Sequence, residues 1–267
     1  MNRHHLLLWL LLAVSFAAII CVSVFGPVNL FGYELKDSGI SEAFASVKNL
    51  PGTESSDSAV VENPDSVVEE ATPKIVETDT TAKRILFVGD SMLDGLYPRL
   101  AAYADRNGHE LYAVIWYSST SEVWGKSDKL KGYIARLNPD YIFICLGANE
   151  LFVKDIEKKR TQYVRNILND IGEIPYLWIG PPNWKEDTGI NDMLAKNTSK
   201  GSFFLSDGMH FERKKDGAHP TSASADKWMD SVVRWMPANS SHPIRLEIPE
   251  NTHGRAKRVF VHSPDEK

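Results

Sequence analysis

The pattern of apolar and polar positions divides the chain into three unlike stretches. Leu6 to Phe25 is apolar except for Ser15 and Ser23, and Arg3 precedes it. About 20 such residues are enough for one helical crossing of a bilayer. With the positive charge inside, the remainder of the chain lies outside the cytoplasm. Residues 1–35 are therefore read as a cytoplasmic stub and a transmembrane signal anchor. A cleaved signal peptide is the alternative. It lacks an Ala-x-Ala type of site, and bulky Ile20 before Cys21 argues against a lipoprotein signal. Over residues 36–82 the pattern dissolves into Ser, Glu, Asp, Thr and Val, with Pro51, Pro64 and Pro73 and Phe44 as the aromatic residue among them. This composition predicts a disordered acidic linker that gives reach.

From Arg84 onward, apolar runs alternate with amphipathic stretches. Ile85-Leu86-Phe87-Val88 is unbroken, as suits a strand buried on both faces, and it ends on Gly89-Asp90-Ser91. A helix is expected over Met92–Asn107, interrupted at Gly95 and Pro98, then a strand over Leu111–Tyr117. An amphipathic helix over Lys129–Leu137 ends at Asn138-Pro139, and a third strand covers Tyr141–Leu146. A helix over Lys158–Ile171, a strand over Tyr176–Ile179, a short helix over Ile190–Lys196, a short strand over Ser202–Leu205 and a helix over Thr221–Trp235 complete the series. Alternation of this kind implies a parallel sheet covered by helices on both faces. The expected domain is residues 83–237. Residues 238–267 form a polar tail with one strand-like run, Val259-Phe260-Val261, and no assigned role.

Composition changes this picture little. The formal net charge of −5 and a pI near 5.9 give no indication of nucleic-acid binding. The two cysteines, Cys21 and Cys145, lie in unrelated segments without metal-ligand neighbours, so neither a disulfide nor a zinc site is expected. No cofactor is implied.

Candidate chemistry gathers at the strand ends. Gly89-Asp90-Ser91, Gly147-Ala148-Asn149 and Gly180-Pro181-Pro182 each follow a strand, and in such sheets the C-terminal strand ends hold the ligand. Attack on an ester needs a hydroxyl, a base and donors for the oxyanion. Ser91 supplies a hydroxyl at a helix N-terminus. In Asp216-Gly217-Ala218-His219 the carboxylate can turn back onto one imidazole nitrogen, leaving the other for Ser91. Asn149 offers an amide to the oxyanion beside the Ser91 N–H. Asp207-Gly208-Met209-His210 has the same spacing, but His219 is preferred because Pro220-Thr221 and an apolar helix come directly after it. Trp116, Tyr117, Trp124, Phe152 and Trp184 lie near the strand ends as candidate sugar-stacking residues, Trp184, in a polar loop, foremost. Lys185 and Arg213 are candidate attractors of an anionic glycan.

In these blocks the chain resembles the SGNH (GDSL-like) hydrolase superfamily over about Arg84 to Trp235. Gly89-Asp90-Ser91, Gly147-Ala148-Asn149 and Asp216-Gly217-Ala218-His219 match three of its four blocks. The resemblance implies a three-layer α/β/α sandwich with a flavodoxin-like five-stranded parallel sheet. It implies Ser91 as nucleophile, His219 as base and Asp216 as its orienter, with Ser91 and Asn149 in the oxyanion hole. The departure is in the remaining block, where Ser118 stands in place of the family's glycine. Its N–H can still donate to the oxyanion, but its side chain is expected to crowd the site. With the apolar anchor, the resemblance points to a membrane-held, extracytoplasmic serine esterase removing acyl groups, acetyl foremost, from a cell-envelope glycan. An O-acetyltransferase of envelope polysaccharide and a catalytically vestigial glycan-binding protein are the alternatives.

Overall fold

A computed structural model describes residues 28–30, 33–35 and 76–266. The expected membrane anchor and most of the expected linker lie outside these residues. Among the described residues no helix is long and apolar enough to cross a membrane. The chain falls into two units, residues 1–69 and residues 70–267. In the first, strands β1 (Val28–Leu30) and β2 (Tyr33–Leu35) pair antiparallel.

The second unit is an α/β sandwich. Its strands are β3 (Arg84–Gly89), β4 (Glu110–Trp116), β5 (Tyr141–Cys145), β6 (Tyr176–Ile179), β7 (Phe203–Phe204) and β8 (Arg258–His262). Every pairing is parallel, in the order β7-β6-β5-β3-β4-β8. Strands β3 to β7 adopt the doubly wound 2-1-3-4-5 order. The sheet has six strands rather than the expected five, because the C-terminal tail adds β8 beside β4. The helices are α1 (Leu93–Asn107), α2 (Ser121–Lys126), α3 (Lys129–Leu137), α4 (Ile156–Ile171), α5 (Ile190–Asn197) and α6 (Ser222–Asn239).

Side chains alternate across the sheet, and both faces are covered. Ile85 and Phe87 of β3 point into a core shared with Leu93, Leu96 and Leu100 of α1 and Trp228, Met229 and Val232 of α6. Leu86 and Val88 point into the opposite core, with Trp124, Leu130, Val164, Ile167 and Ile190 from α2 to α5. This explains why the run from Ile85 to Val88 carries no polar position. Helix α1 is continuous through Pro98, where an interruption was expected. The proline forfeits one backbone bond, but buried leucines on either side pin the helix to the sheet.

The segment just before β3 is bonded to the sandwich. Asp79 N donates to Pro243 O (2.8 Å) and Arg245 N to Asp79 O (2.9 Å), so residues from about 79 onward belong to the sandwich rather than to the linker. The tail is equally integral. Asn107 exchanges two bonds with Glu247, and the buried Arg99 guanidinium holds the carbonyls of Asn251 and Thr252 while pairing with Asp230 at 2.7 Å. Gly254 then lies so close on α1 that a Cβ would sit 2.5 Å from Ala102 N. Gly254→Ala must push the strap off α1. It is expected to lower stability by about 1–3 kcal/mol, the usual range for overpacking, seen as a lower urea midpoint with an unchanged slope.

Candidate active site

The close approach of β3 and β5 places the first functional residue. A Cβ at Gly89 would lie 2.0 Å from Cys145 O, so only glycine lets the strands meet here, and Asp90 N then donates to Cys145 O at 3.1 Å. The chain turns at once into α1, leaving Ser91 just before the N-terminal turn, where the peptide dipoles favour negative charge. The strand order reverses between β3 and β5, which makes this the crevice of the sheet.

The second piece is the loop from Glu212 to Thr221. Thr221 N donates to Glu212 O (2.8 Å) and Lys214 N to His219 O (2.7 Å), closing the loop into a narrow hairpin with Gly217 at its tip. Thr221 Oγ1 accepts from Ser224 N and caps α6. This fixes His219 at the sheet edge. His219 Nε2 lies 2.8 Å from Ser91 Oγ, and His219 Nδ1 lies 3.0 Å from Asp216 Oδ2. Asp216 Oδ1 accepts the backbone N–H groups of Ala218 (2.8 Å) and His219 (2.9 Å). Those amides, with the His219 side chain, hold the Asp216 carboxyl down at about 2. The acid is thus oriented by main-chain donors rather than by burial: the Asp216 and His219 side chains are 48% and 32% exposed. His210 is also exposed, but the imidazole at Ser91 is that of His219.

The third piece is the pair of loops after β4 and β5. Ser118 has φ 59°, the left-handed region that glycine enters freely and an L-residue enters at about 1–2 kcal/mol. The backbone at this position is therefore what a glycine would adopt, and the serine is exposed rather than crowding the site as the sequence suggests. Asn149 Nδ2 donates one hydrogen to Ser119 O (2.9 Å), which ties the two loops and leaves its second amide hydrogen for a ligand.

Glu150 carries no signal in the sequence, where a glutamate in a turn reads as surface. It is fully buried. Its carboxylate accepts from Ser121 N (2.8 Å), Ser121 Oγ (2.8 Å) and Arg160 Nε (2.7 Å), so it clamps the Ser118 loop to the Asn149 loop and to α4. Burial raises its pKa, and the Ser121 donors and Arg160 oppose that. Asp90 has a task beyond its place in the Gly-Asp-Ser motif. It is fully buried, one oxygen accepts from Met92 N (2.9 Å) and the other has no partner. Burial pushes its carboxyl up to about 7; the amides of Met92, Gly147 and Ala148 work against the rise, and Glu150 adds to it.

The stacking candidates separate. Tyr117 lines a groove of about 180 Å³ together with Ser91, Asp94, Lys214, Asp216 and His219. Trp184 is half-buried at the edge of the site, its indole N–H donating to Ala148 O at 3.0 Å. Trp116 is 2% exposed: its indole donates to Ser263 O and packs edge-on against Trp124, so it belongs to the core and cannot stack on a sugar. The tail covers it by returning to the sheet. Arg213 holds loops together, its guanidinium donating to Ala218 O and Asn183 O. A more open cavity of about 740 Å³ near Asp155 and Asp192 contains no residue of this constellation.

No protein-family pattern matches the chain, and no curated protein matches it. Sixteen chains of solved structures are similar to it, three of them as follows. One is a psychrotrophic esterase from Pseudoalteromonas sp. inhibited by monoethylphosphonate, at 14% identity over 57% of this chain and 98% of that one, with a TM-score of 0.43. Another is a lipolytic protein of the G-D-S-L family from Desulfitobacterium hafniense, at 12% identity over 57% and 98%, TM-score 0.38. The third is a salicylyl-acyltransferase from a tetracycline biosynthetic pathway, at 18% identity over 61% of this chain and 56% of that one, TM-score 0.40. At such distances, function has to be argued from this chain's own side chains.

The two buried acids make separate predictions. Glu150→Ala leaves two Ser121 donors unpaired, while Arg160 keeps Glu122 at 2.6 Å, and is expected to cost about 1–3 kcal/mol in urea unfolding, as for buried donors left without an acceptor. For Asp90, the folded pKa near 7 lies above the ordinary 3.8, so the folded state holds the extra proton between those values. Stability should therefore fall as pH rises from about 4 to about 7. In Asp90→Asn that part of the slope should disappear, as measured by chemical denaturation across the range.

Proposed function

We propose that the protein is an SGNH-type serine esterase that removes short acyl groups, acetyl foremost, from a cell-envelope glycan through an acyl-enzyme on Ser91. The observation that carries this is the 2.8 Å approach of His219 Nε2 to Ser91 Oγ, between residues 128 positions apart, with His219 Nδ1 backed by Asp216. In the mechanism, His219 takes the Ser91 proton as Oγ bonds to the ester carbon. The carbonyl oxygen becomes negative beside the N-terminal turn of α1, where the Ser91 N–H, the free Asn149 amide hydrogen and the Ser118 N–H are its donors. His219 then returns the proton to the departing sugar oxygen. Water, deprotonated by the same imidazole, attacks the acyl carbon, and Ser91 regains its proton as the acid leaves. Neighbouring amides hold the Asp216 carboxyl at about 2, so it supports the imidazolium without itself titrating in the neutral range.

Three features support the finer reading. The groove beside Ser91 is small and partly polar, lined by Asp94, Tyr117 and Lys214, which suits a short acyl group or a single ring rather than a long alkyl chain. The solvent exposure of Asp216 and His219 favours water over a sugar hydroxyl as the second nucleophile, and hence hydrolysis over transfer. An intact nucleophile, base and acid weigh against a vestigial binding protein. Placement outside the cytoplasm, held by the apolar run Leu6–Phe25, is part of the proposal and rests on sequence.

A fluorophosphonate should label the wild-type protein at Ser91 and fail to label Ser91→Ala. The variant should cleave a nitrophenyl acetate at least about 10³-fold more slowly, in line with loss of a triad nucleophile. Wild-type turnover by the variant would remove the assignment.

A further inference from the structure

The catalytic edge carries an aromatic corner that ester cleavage itself leaves without a task. Phe152, in the loop after β5, keeps 55% of its surface exposed. Trp184, in the loop after β6, meets it edge to face, with ring centroids 6.5 Å apart and planes at 80°. Lys185 Nζ lies 4.8 Å from the Trp184 centroid and 5.6 Å from the Phe152 centroid. Single exposed apolar residues are common on protein surfaces. This one differs in where the corner is held.

Trp184 is bonded through its indole to Ala148 O, the residue before Asn149. The same loop is bonded through Asn183 O to Arg213, whose other nitrogen donates to Ala218 O, the residue before His219. The corner is thus fastened to the oxyanion side and to the base side of the site at once. Among the described residues Lys185 has no carboxylate within ion-pair distance, although its ammonium sits over two rings. Lys214, lining the groove next to Ser91, has none either, though Asp94 lines the same groove.

A pyranose ring offers a flat C–H face that packs on an aromatic ring. A cation held at such rings but lacking a counter-charge selects a sugar that carries an acid. We propose that Phe152, Trp184 and Lys185 form a subsite for an acidic sugar ring, with the ring on the aromatic corner and its carboxylate at Lys185, so that the glycan acted on is polyanionic. The purpose of this subsite rests on the glycan-esterase reading above, but its existence is tested without turnover.

The full-length chain would be titrated calorimetrically at low salt with oligogalacturonate and with uncharged galacto-oligosaccharide of equal length. The acidic ligand is expected to bind at least about tenfold more tightly, and to lose most of that advantage in about 0.5 M salt as the charge is screened. Lys185→Glu should weaken acidic binding at least tenfold, Lys185→Arg should preserve it, and Phe152→Ala should weaken both ligands. Equal affinity for the two ligands, no binding of either, or indifference to Lys185→Glu would overturn the subsite. A chain that binds the acidic ligand but is not labelled by fluorophosphonate would defeat the esterase reading alone. A labelled chain without the acidic preference would defeat only the subsite.

Discussion

The narrow gap between the ends of β3 and β5 is the constraint on which the site depends. Because residue 89 has no side chain, Cys145 O can approach its Cα closely enough for Asp90 N to bond to it. That single contact brings the loop bearing the hydroxyl against the loop bearing Asn149, at the point where the sheet reverses direction. A methyl group in the gap would part the strands, and the hydroxyl and amide would leave each other's reach while both cores stayed largely filled. The precision needed in such a site, within about half an ångström, is better supplied by strand ends than by free loops.

Around that contact the protein buries two carboxyl groups and treats them oppositely. Glu150 is fully served by an arginine and a serine, and its charge holds two loops together. Asp90 has one oxygen without a hydrogen-bond partner and a second acid nearby, and burial raises its pKa. The acid that does stay charged, Asp216, is the one open to solvent, where a charge remains hydrated and main-chain amides fix its direction.

Much of this is legible in the sequence, for identifiable reasons. Strands buried on both faces, such as β3 and β5, announce themselves by unbroken apolar runs. The Asp216-to-His219 spacing is local, so its geometry can be foreseen, and Ser118 occupies a position whose backbone twist matches the missing glycine. The features that stay hidden depend on distant partners. The run Val259-Phe260-Val261 reads as a strand, but its place at the sheet edge beside β4 does not show in the sequence. Trp116 looks like a rim residue until the tail brings Ser263 over it. α2 is too short to show a period, and Glu150 becomes a clamp only because Ser121 and Arg160 arrive from elsewhere in the chain.

The pairing of Asp79 with Pro243 and Arg245 sets where the chain enters the sandwich. Entry of the chain is at the N-terminal ends of the strands, and β3, six residues long, separates it from Ser91 by about 20 Å. Tension transmitted from any preceding segment is met first by this bridge and by the foot of the sheet. The loops that align nucleophile and imidazole lie at the other end, off the line of force. Strain entering at the foot of the sheet therefore reaches Ser91 and His219 last, after the whole length of β3.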